Sequence, residues 1–341
     1  ETENRSVKSF GYMSERTLEA IIQKSLSFAE ERCTFGFQGG EPTLAGLDFF
    51  KNVIALQKKH NTKNLKIQNA LQTNGILLDD EWASFLATNK FLVGISLDGD
   101  ESLHNLYRKD AQGNGTFVRA MQGIETLQRH NVEFNILTVV TAQTAKRIKE
   151  IYSFYMKHGF VYQQYITCLD PAGESKGKRK YSLTPELYAR FLKNLFDVWY
   201  VDCAAGRFVY NRYFENLAAI LLGQHAESCD MNGVSSVQYA IESDGSVYRC
   251  DFYMLDAYCI GNINTDDLQE IDRNRDGIGF IQQSVKLPEQ CRSCQWLLLC
   301  RGGCRRNRVV VGAEDSWMNY FCKSYQEFFP YMLPRMRELL R

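Results

Sequence analysis

Eight of the eleven cysteines lie beyond residue 228, and their spacing is the feature of this chain that most directly implies chemistry. Cys250 closes the run Gly245-Ser246-Val247-Tyr248-Arg249-Cys250. Cys291-x2-Cys294-x5-Cys300-x3-Cys304 follows, and Cys322 comes last in Tyr320-Phe321-Cys322-Lys323. Thiols at such short intervals, set among Arg, Lys and Gly, form the pattern of thiolate ligands to a soft metal rather than of a hydrophobic core. With Cys229 and Cys259 the region offers eight sulfur donors, enough for two four-ligand sites. Cys-x2-Cys pairs also bind zinc, so a non-catalytic metal module is the alternative at this stage.

The elements that must position these sulfurs belong to an ordinary soluble chain of 341 residues, 45% hydrophobic and 23% charged. The formal net charge of +0 supplies no general electrostatic reason to expect nucleic acid or an anionic membrane as a partner. No apolar run is long enough to span a bilayer and no signal-like segment opens the chain. Eleven cysteines without a secretory signal favour a reducing compartment, the cytoplasm, and metal ligation over disulfides.

The first half alternates short apolar runs with amphipathic stretches, the rhythm of a βαβα chain. Strands are expected at Thr34–Gln38, Leu65–Leu71, Leu92–Leu97, Glu133–Val140 and Val161–Ile166, with helices at Ser14–Glu30, Leu47–His60, Asp80–Asn89, Thr116–His130 and Ala142–His158. Such units close most economically as a parallel barrel or half-barrel, with chemistry at the carboxyl ends of the strands. Those ends read Gln38-Gly39-Gly40-Glu41-Pro42-Thr43, Gln72-Thr73-Asn74-Gly75, Ser96-Leu97-Asp98-Gly99 and Thr167-Cys168-Leu169-Asp170-Pro171, with Arg108 soon after the third. The glycine pair lets a ligand approach the backbone, Glu41 can accept from an ammonium, and Arg108 can grip a carboxylate bidentately. A zwitterionic amino-acid end needs this combination. The bland alternative is a tight turn at Gly39-Gly40 and a surface ion pair at Arg108.

From Thr184 the pattern changes. Thr184 as cap and Pro185 at the first helical position open an amphipathic helix, and a second helix is expected at about Arg212 to Leu222. Val237–Glu242 and Val247–Cys250 read as a hairpin, and a loop-rich segment follows before a final helix near Tyr325–Leu340.

Taken together, Phe37-Gln38-Gly39-Gly40-Glu41-Pro42-Thr43-Leu44, Leu71-Gln72-Thr73-Asn74-Gly75, the stretch Leu92 to Gly99, His104 to Asp110, Glu242 to Tyr248, Cys250-Asp251-Phe252-Tyr253 and the cysteine ladder resemble the radical S-adenosylmethionine (SAM) enzymes with a C-terminal SPASM domain, especially the anaerobic sulfatase-maturating enzymes. The resemblance implies an α/β fold: a partial (β/α)6 radical SAM barrel, here lacking its first strand, over residues 1–183, connecting helices over 184–228 and a small cysteine-rich SPASM domain with a C-terminal helix over 229–341. It implies SAM and [4Fe–4S] clusters as cofactors, a deoxyadenosyl radical as oxidant, and a Cys or Ser of a sulfatase as substrate, converted to Cα-formylglycine. An electron donor such as flavodoxin or ferredoxin would be a further partner.

By motif, Gly39, Gly40 and Glu41 would hold the SAM ammonium, Ser96 and Arg108 its carboxylate, and the Leu169 backbone its adenine. Gln38 would point towards the reacting side chain. Asp251 would be the base that takes the substrate proton, its bland alternative being a carboxylate that merely orients a cluster ligand. Cys291, Cys294, Cys300 and Cys322 would hold one auxiliary cluster. Cys229, Cys250 and Cys304 would hold another, with Ser235 where the family pattern has a fourth cysteine, and Cys259 could substitute if its loop folds back. Cys33, Cys168 and Cys203 are expected to pack as small apolar side chains.

No Cys-x3-Cys-x2-Cys run occurs, and the chain opens at Glu1 without an initiator methionine. It therefore reads as a fragment that could not by itself hold the radical-generating cluster. Other SPASM enzymes cross-link or epimerise peptides; the match at Gln38 and at Cys250-Asp251 is what favours sulfatase maturation over these.

Overall fold

A computed structural model describes residues 9–171, 173–312 and 317–341. Six parallel strands form one sheet in the order of the chain: β1 (Arg32–Phe37), β2 (Lys66–Thr73), β3 (Leu92–Ser96), β4 (Phe134–Val140), β5 (Tyr162–Thr167) and β6 (Tyr210–Asn211). Sequential parallel order requires a crossover between every pair, and helices supply them. They are α1 (Glu15–Phe28), which precedes β1, then α2 (Leu47–His60), α3 (Asp80–Thr88), α4 (Glu101–Tyr107), α5 (Phe117–Arg129), α6 (Ala142–Lys146), α7 (Ile148–Lys157) and α8 (Pro185–Ala204), with α9 (Arg212–Leu221) after β6. Side-chain caps start several of them: Ser14 accepts from Thr17 N–H, Asp79 from Trp82 N–H, and Thr184 from Leu187 N–H. Each such cap contributes about 1 kcal/mol.

The sixth strand was not expected, nor was α4. β6 comes from the segment read as connecting helices, where Tyr210 and Asn211 pair with Tyr162 and Gln163. The helix expected over Ala142–His158 is two. Thr144 turns its hydroxyl back to the Thr141 N–H and the Val139 carbonyl, and Arg147 leaves helical geometry between the pieces. A threonine that bonds locally in this way competes with the helical ladder.

Two close approaches fix the strand ends at the mouth. The buried Tyr155 hydroxyl on α7 donates to Leu97 O at 2.7 Å and accepts from Gly99 N–H at 2.9 Å, pinning the exit of β3. On α5, a Cβ at Gly123 would collide with the carbonyl oxygen of Gly75, which follows β2 with φ 78°. Glycine is required at 123 by that backbone-to-backbone packing.

Beyond residue 228 the elements are mostly short, the longest being the helices Leu268–Gly277 and Cys322–Leu339. β7 (Ala240–Ile241), β8 (Ser246–Tyr248) and β9 (Cys259–Asn262) form an antiparallel sheet over a core of five buried residues, Val247, Ile260, Ile263, Leu268 and Ile271. The last helix, Cys322–Leu339, packs along α8, so Phe328, Phe329, Met332 and Met336 join the barrel core. Lys24 on α1 donates to the carbonyls of Ile263 and Asp266 at 2.7 and 2.8 Å, tying the small sheet to the barrel.

Gly123→Ala is expected to destabilise the fold by about 1–3 kcal/mol, because the obstacle is backbone and cannot rotate away. Urea denaturation measures it; an unchanged midpoint would mean that α5 can move off the strand end.

Candidate functional site

The mouth of the sheet is built from the strand exits. After β1, Gly39 and Gly40 take φ of 86° and 56°, conformations that disfavour a side chain. A Cβ on either would meet nothing within 4 Å, so the turn presents its backbone to open space, a cradle suited to a ligand that must lie against the chain. Glu41 was expected to accept from an ammonium. Its carboxylate accepts from four donors of the chain: Thr43 N–H and hydroxyl at 3.1 and 2.7 Å, Thr73 hydroxyl at 2.7 Å and Asn74 N–H at 2.7 Å. Glu41 thereby clips the β1 exit to the β2 exit and shapes the glycine turn.

At the β3 exit Ser96 is buried, and Asp98 accepts Arg108 Nε at 2.6 Å, Arg108 Nη2 at 3.3 Å and Val139 N–H at 2.8 Å. Arg108 is thus an ion pair, but one facing the mouth with 23% of its side chain exposed. Asp98 takes two of the five guanidinium N–H groups, and the rest can serve an incoming carboxylate. Beneath them His104 Nδ1 accepts from Asp98 N–H at 3.4 Å and Nε2 donates to Thr116 Oγ1 at 3.0 Å, while that hydroxyl donates to Arg108 O. Burial, then the neighbouring Arg108 charge, pushes His104 down to about 4, so the ring stays neutral and holds this arrangement. At the β5 exit Leu169 is half-buried. Beside it Cys168 is raised to about 11 by burial and by Asp170 and Asp98, a thiol at the mouth rather than a core filler. Cys33 and Cys203 do pack against hydrophobic clusters, as expected.

Asp251 comes to this mouth from the other half of the molecule. Its Oδ2 accepts from Gln38 Nε2 at 3.1 Å, across 213 residues of sequence. Its Oδ1 accepts from Gln238 Nε2 at 3.2 Å, from Phe252 N–H at 3.1 Å and from the Cys250 thiol at 3.4 Å. These donors are all neutral. Among the described residues no Lys or Arg is bonded to this carboxylate. Gln238 escaped the sequence reading, because an isolated glutamine before a short strand carries no pattern.

The sulfurs divide into two groups. Cys291, Cys294, Cys300 and Cys322 line one cavity of about 80 Å³ together with Gln290, Leu297, Gly302, Met318 and Gln326. Burial pushes Cys300 up to about 11, with Cys322, Cys291 and Cys294 adding to the effect, so the four lie within electrostatic reach of one another. Cys304 is raised to about 11 by burial and feels Asp230 and Cys229, and Cys250, also raised chiefly by burial, feels Cys304. Cys229, Cys250 and Cys304 therefore form the second group. Ser235 is half-buried and donates its N–H to Ser284 Oγ at 2.9 Å. Cys259 is not a stand-in: it lies exposed at the start of β9, opposite Tyr248, its thiol directed at Gly261 O.

All eleven cysteines carry free thiols, and among the described residues no three His, Cys, Asp or Glu side chains converge on a point that one metal ion could occupy. Four thiols around a cavity fit a polynuclear iron–sulfur core better than a tetrahedral zinc ion, which needs every sulfur about 2.3 Å from one centre. In the three-thiol group, Arg306 N–H reaches Cys304 Sγ at 3.4 Å.

The model of the radical SAM superfamily matches residues 3–155, and that of an iron–sulfur cluster-binding domain, SPASM, matches residues 229–295. The chain is 49% identical over 335 residues to a cysteine-type anaerobic sulfatase-maturating enzyme of Clostridium perfringens, covering 98% of this chain and 90% of the relative. It is 33% identical to a serine-type anaerobic sulfatase-maturating enzyme of Bacteroides thetaiotaomicron, covering 95% of this chain and 82% of the relative. Its fold superimposes on native anSMEcpe with bound AdoMet and the Kp18Cys peptide at a TM-score of 0.94 and 48% identity, over 99% of this chain and 93% of that one. A parallel barrel mouth with an open glycine turn, thiols grouped for iron–sulfur clusters and relatives matched along nearly their whole length lead to one assignment: the chain belongs to the anaerobic sulfatase-maturating enzymes of the radical SAM superfamily, with SAM and [4Fe–4S] clusters as cofactors.

Proposed function

We propose that this protein oxidises a cysteine side chain of a sulfatase polypeptide to Cα-formylglycine, with Asp251 as the base. The observation that carries the reading is the 3.1 Å hydrogen bond from Gln38 to Asp251, which joins the barrel mouth to the Cys250-Asp251 segment as one site. The cysteine-type preference is supported by identities of 49% and 46% to cysteine-type relatives, against 33% to a serine-type one.

Bound SAM and its clusters supply hydrogen-atom abstraction and one-electron transfer; the chain supplies placement and a proton acceptor. The backbone of Gly39 and Gly40 receives the SAM ammonium while Glu41 holds the turn in shape. Ser96 and the uncommitted N–H groups of Arg108 take its carboxylate, and the Leu169 backbone meets the adenine. Oxidation of the substrate β-carbon also requires loss of the thiol proton, and the resulting thioaldehyde becomes the aldehyde by taking up water and releasing sulfide. Asp251 is placed to accept that proton, held by the side chains of Gln38 and Gln238 and the Phe252 N–H with no cation bonded to it among the described residues. Gln38 and Gln238 fix its orientation. Cys291, Cys294, Cys300 and Cys322 hold one auxiliary cluster; Cys229, Cys250 and Cys304, with Ser235 nearby, hold the other. A flavodoxin or ferredoxin serves as electron donor. A reducing compartment such as the cytoplasm suits eleven free thiols, and no helix among the described residues is long and apolar enough to cross a membrane.

In cluster-loaded enzyme, Asp251→Asn is expected to keep its clusters and to cleave SAM while forming formylglycine about 100-fold more slowly, as for loss of a general base. Mass spectrometry of a sulfatase-derived cysteine peptide reads this, and undiminished product would remove Asp251 from the role. Ser235→Cys is expected to raise iron and sulfide content per chain by completing the three-thiol group. Equal iron in both proteins, with that site already full, would point to a different fourth ligand.

A further inference from the structure

Arg308 stands where the two sulfur groups meet. It opens the short strand Arg308–Val310, its side chain is 6% exposed, and its guanidinium turns back into the Cys300–Cys304 turn. Nε donates to Gly302 O at 3.1 Å, Nη2 to Gly303 O at 3.0 Å and Nη1 to Lys286 O at 3.2 Å. Gly302 and Gly303, at φ 81° and 61°, allow both carbonyls to face inward, and a Cβ on Gly302 would collide with Leu287 and sit 3.1 Å from Nη2.

The ends of this turn serve different groups: Cys300 lines the four-thiol cavity and Cys304 belongs to the three-thiol group. Every acceptor the guanidinium meets is an uncharged carbonyl, and among the described residues no carboxylate pairs with it. An uncompensated buried charge costs several kcal/mol, and thiolate-bound iron–sulfur clusters, being anionic, would offset that cost. Sulfurs of both groups, Cys304 and Cys300, act on this cation against the effect of its burial. The same excess of positive charge recurs at Arg249, 2% exposed, whose Nε and Nη2 are buried without a hydrogen-bond partner; its guanidinium lies 5.0 Å from the Tyr258 ring centre.

We propose that Arg308 is a counter-ion shared by both auxiliary clusters, a positioning residue that raises both reduction potentials through one turn. The inference rests on the reading that Cys300 and Cys304 serve separate clusters. The test compares wild type, Arg308→Gln and Arg308→Lys after anaerobic reconstitution, by iron and sulfide analysis and by redox titration followed by electron paramagnetic resonance. Arg308→Gln is expected to shift both auxiliary midpoint potentials negative, and Arg308→Lys to retain most of the wild-type values. Two intact signals that do not move, or movement of only one, would overturn the shared role alone. If Arg308→Gln loses iron, recovery of both clusters at wild-type potentials in Arg308→Lys upholds the proposal. Equal loss in Arg308→Lys overturns it, since the fork's hydrogen bonds rather than its charge would then hold the turn. A wild-type protein with a single auxiliary cluster would overturn the two-site assignment and the shared role with it.

Discussion

Ionised sulfur is costly to keep away from water unless cations, amide N–H groups and metal share its charge, and the C-terminal third is organised by that constraint. The small antiparallel sheet packs over a cluster of five buried residues, a core of a size that leaves much of the surrounding loop structure to other ties. Burial raises the pKa of Cys250, Cys300 and Cys304, so the folded chain offers thiols whose protons a metal must displace. In such a domain metal binding and folding are the same event in energetic terms. The remaining rigidity is borrowed from the barrel, through the terminal helix against α8 and through Lys24 on the carbonyls of Ile263 and Asp266.

The Gln38–Asp251 contact is a property of the seam rather than of either half. Gln38 belongs to a strand exit whose geometry is set by parallel pairing and by Glu41, and Asp251 to a segment placed by thiols and a small antiparallel sheet. Further polar ties lie along the same boundary, among them Arg306 Nη2 to Asp170 O at 3.0 Å and Lys176 Nζ to Arg306 O at 2.9 Å. Each is modest in net worth, on the order of 1 kcal/mol, but together they hold donor and acceptor in register across a long chain separation.

Most of the barrel was legible in the amino-acid order because its strands are apolar runs between amphipathic helices. The five expected strands lie within one or two residues of the observed bounds, and Leu47–His60 coincides. Much of what was missed is short, the exception being the ten-residue helix Leu268–Gly277 in the stretch read as loop. β6 has two residues and depends on β5 for its pairing, α4 has seven residues and is capped by Asp100, and β9 is a four-residue strand in a loop-rich stretch. The same limit applies to the site. Glycines, Gln38, Asp251 and the cysteine ladder carry type and spacing, whereas the Asp98–Arg108 pair, Gln238 and Arg308 acquire their meaning only from partners remote in sequence or from burial. Arg308 in particular sits in an arginine-rich run and is interior.

The four donors that Glu41 collects have a thermodynamic corollary. Because the glycine turn is already locked to the neighbouring strand, its ordering entropy is spent during folding and not when the adenosyl cofactor arrives. Preorganisation of that kind lowers the loss of freedom on association, so cofactor affinity can rest on few direct contacts at the barrel rim. Loosening Glu41 would then weaken binding through the shape of the turn.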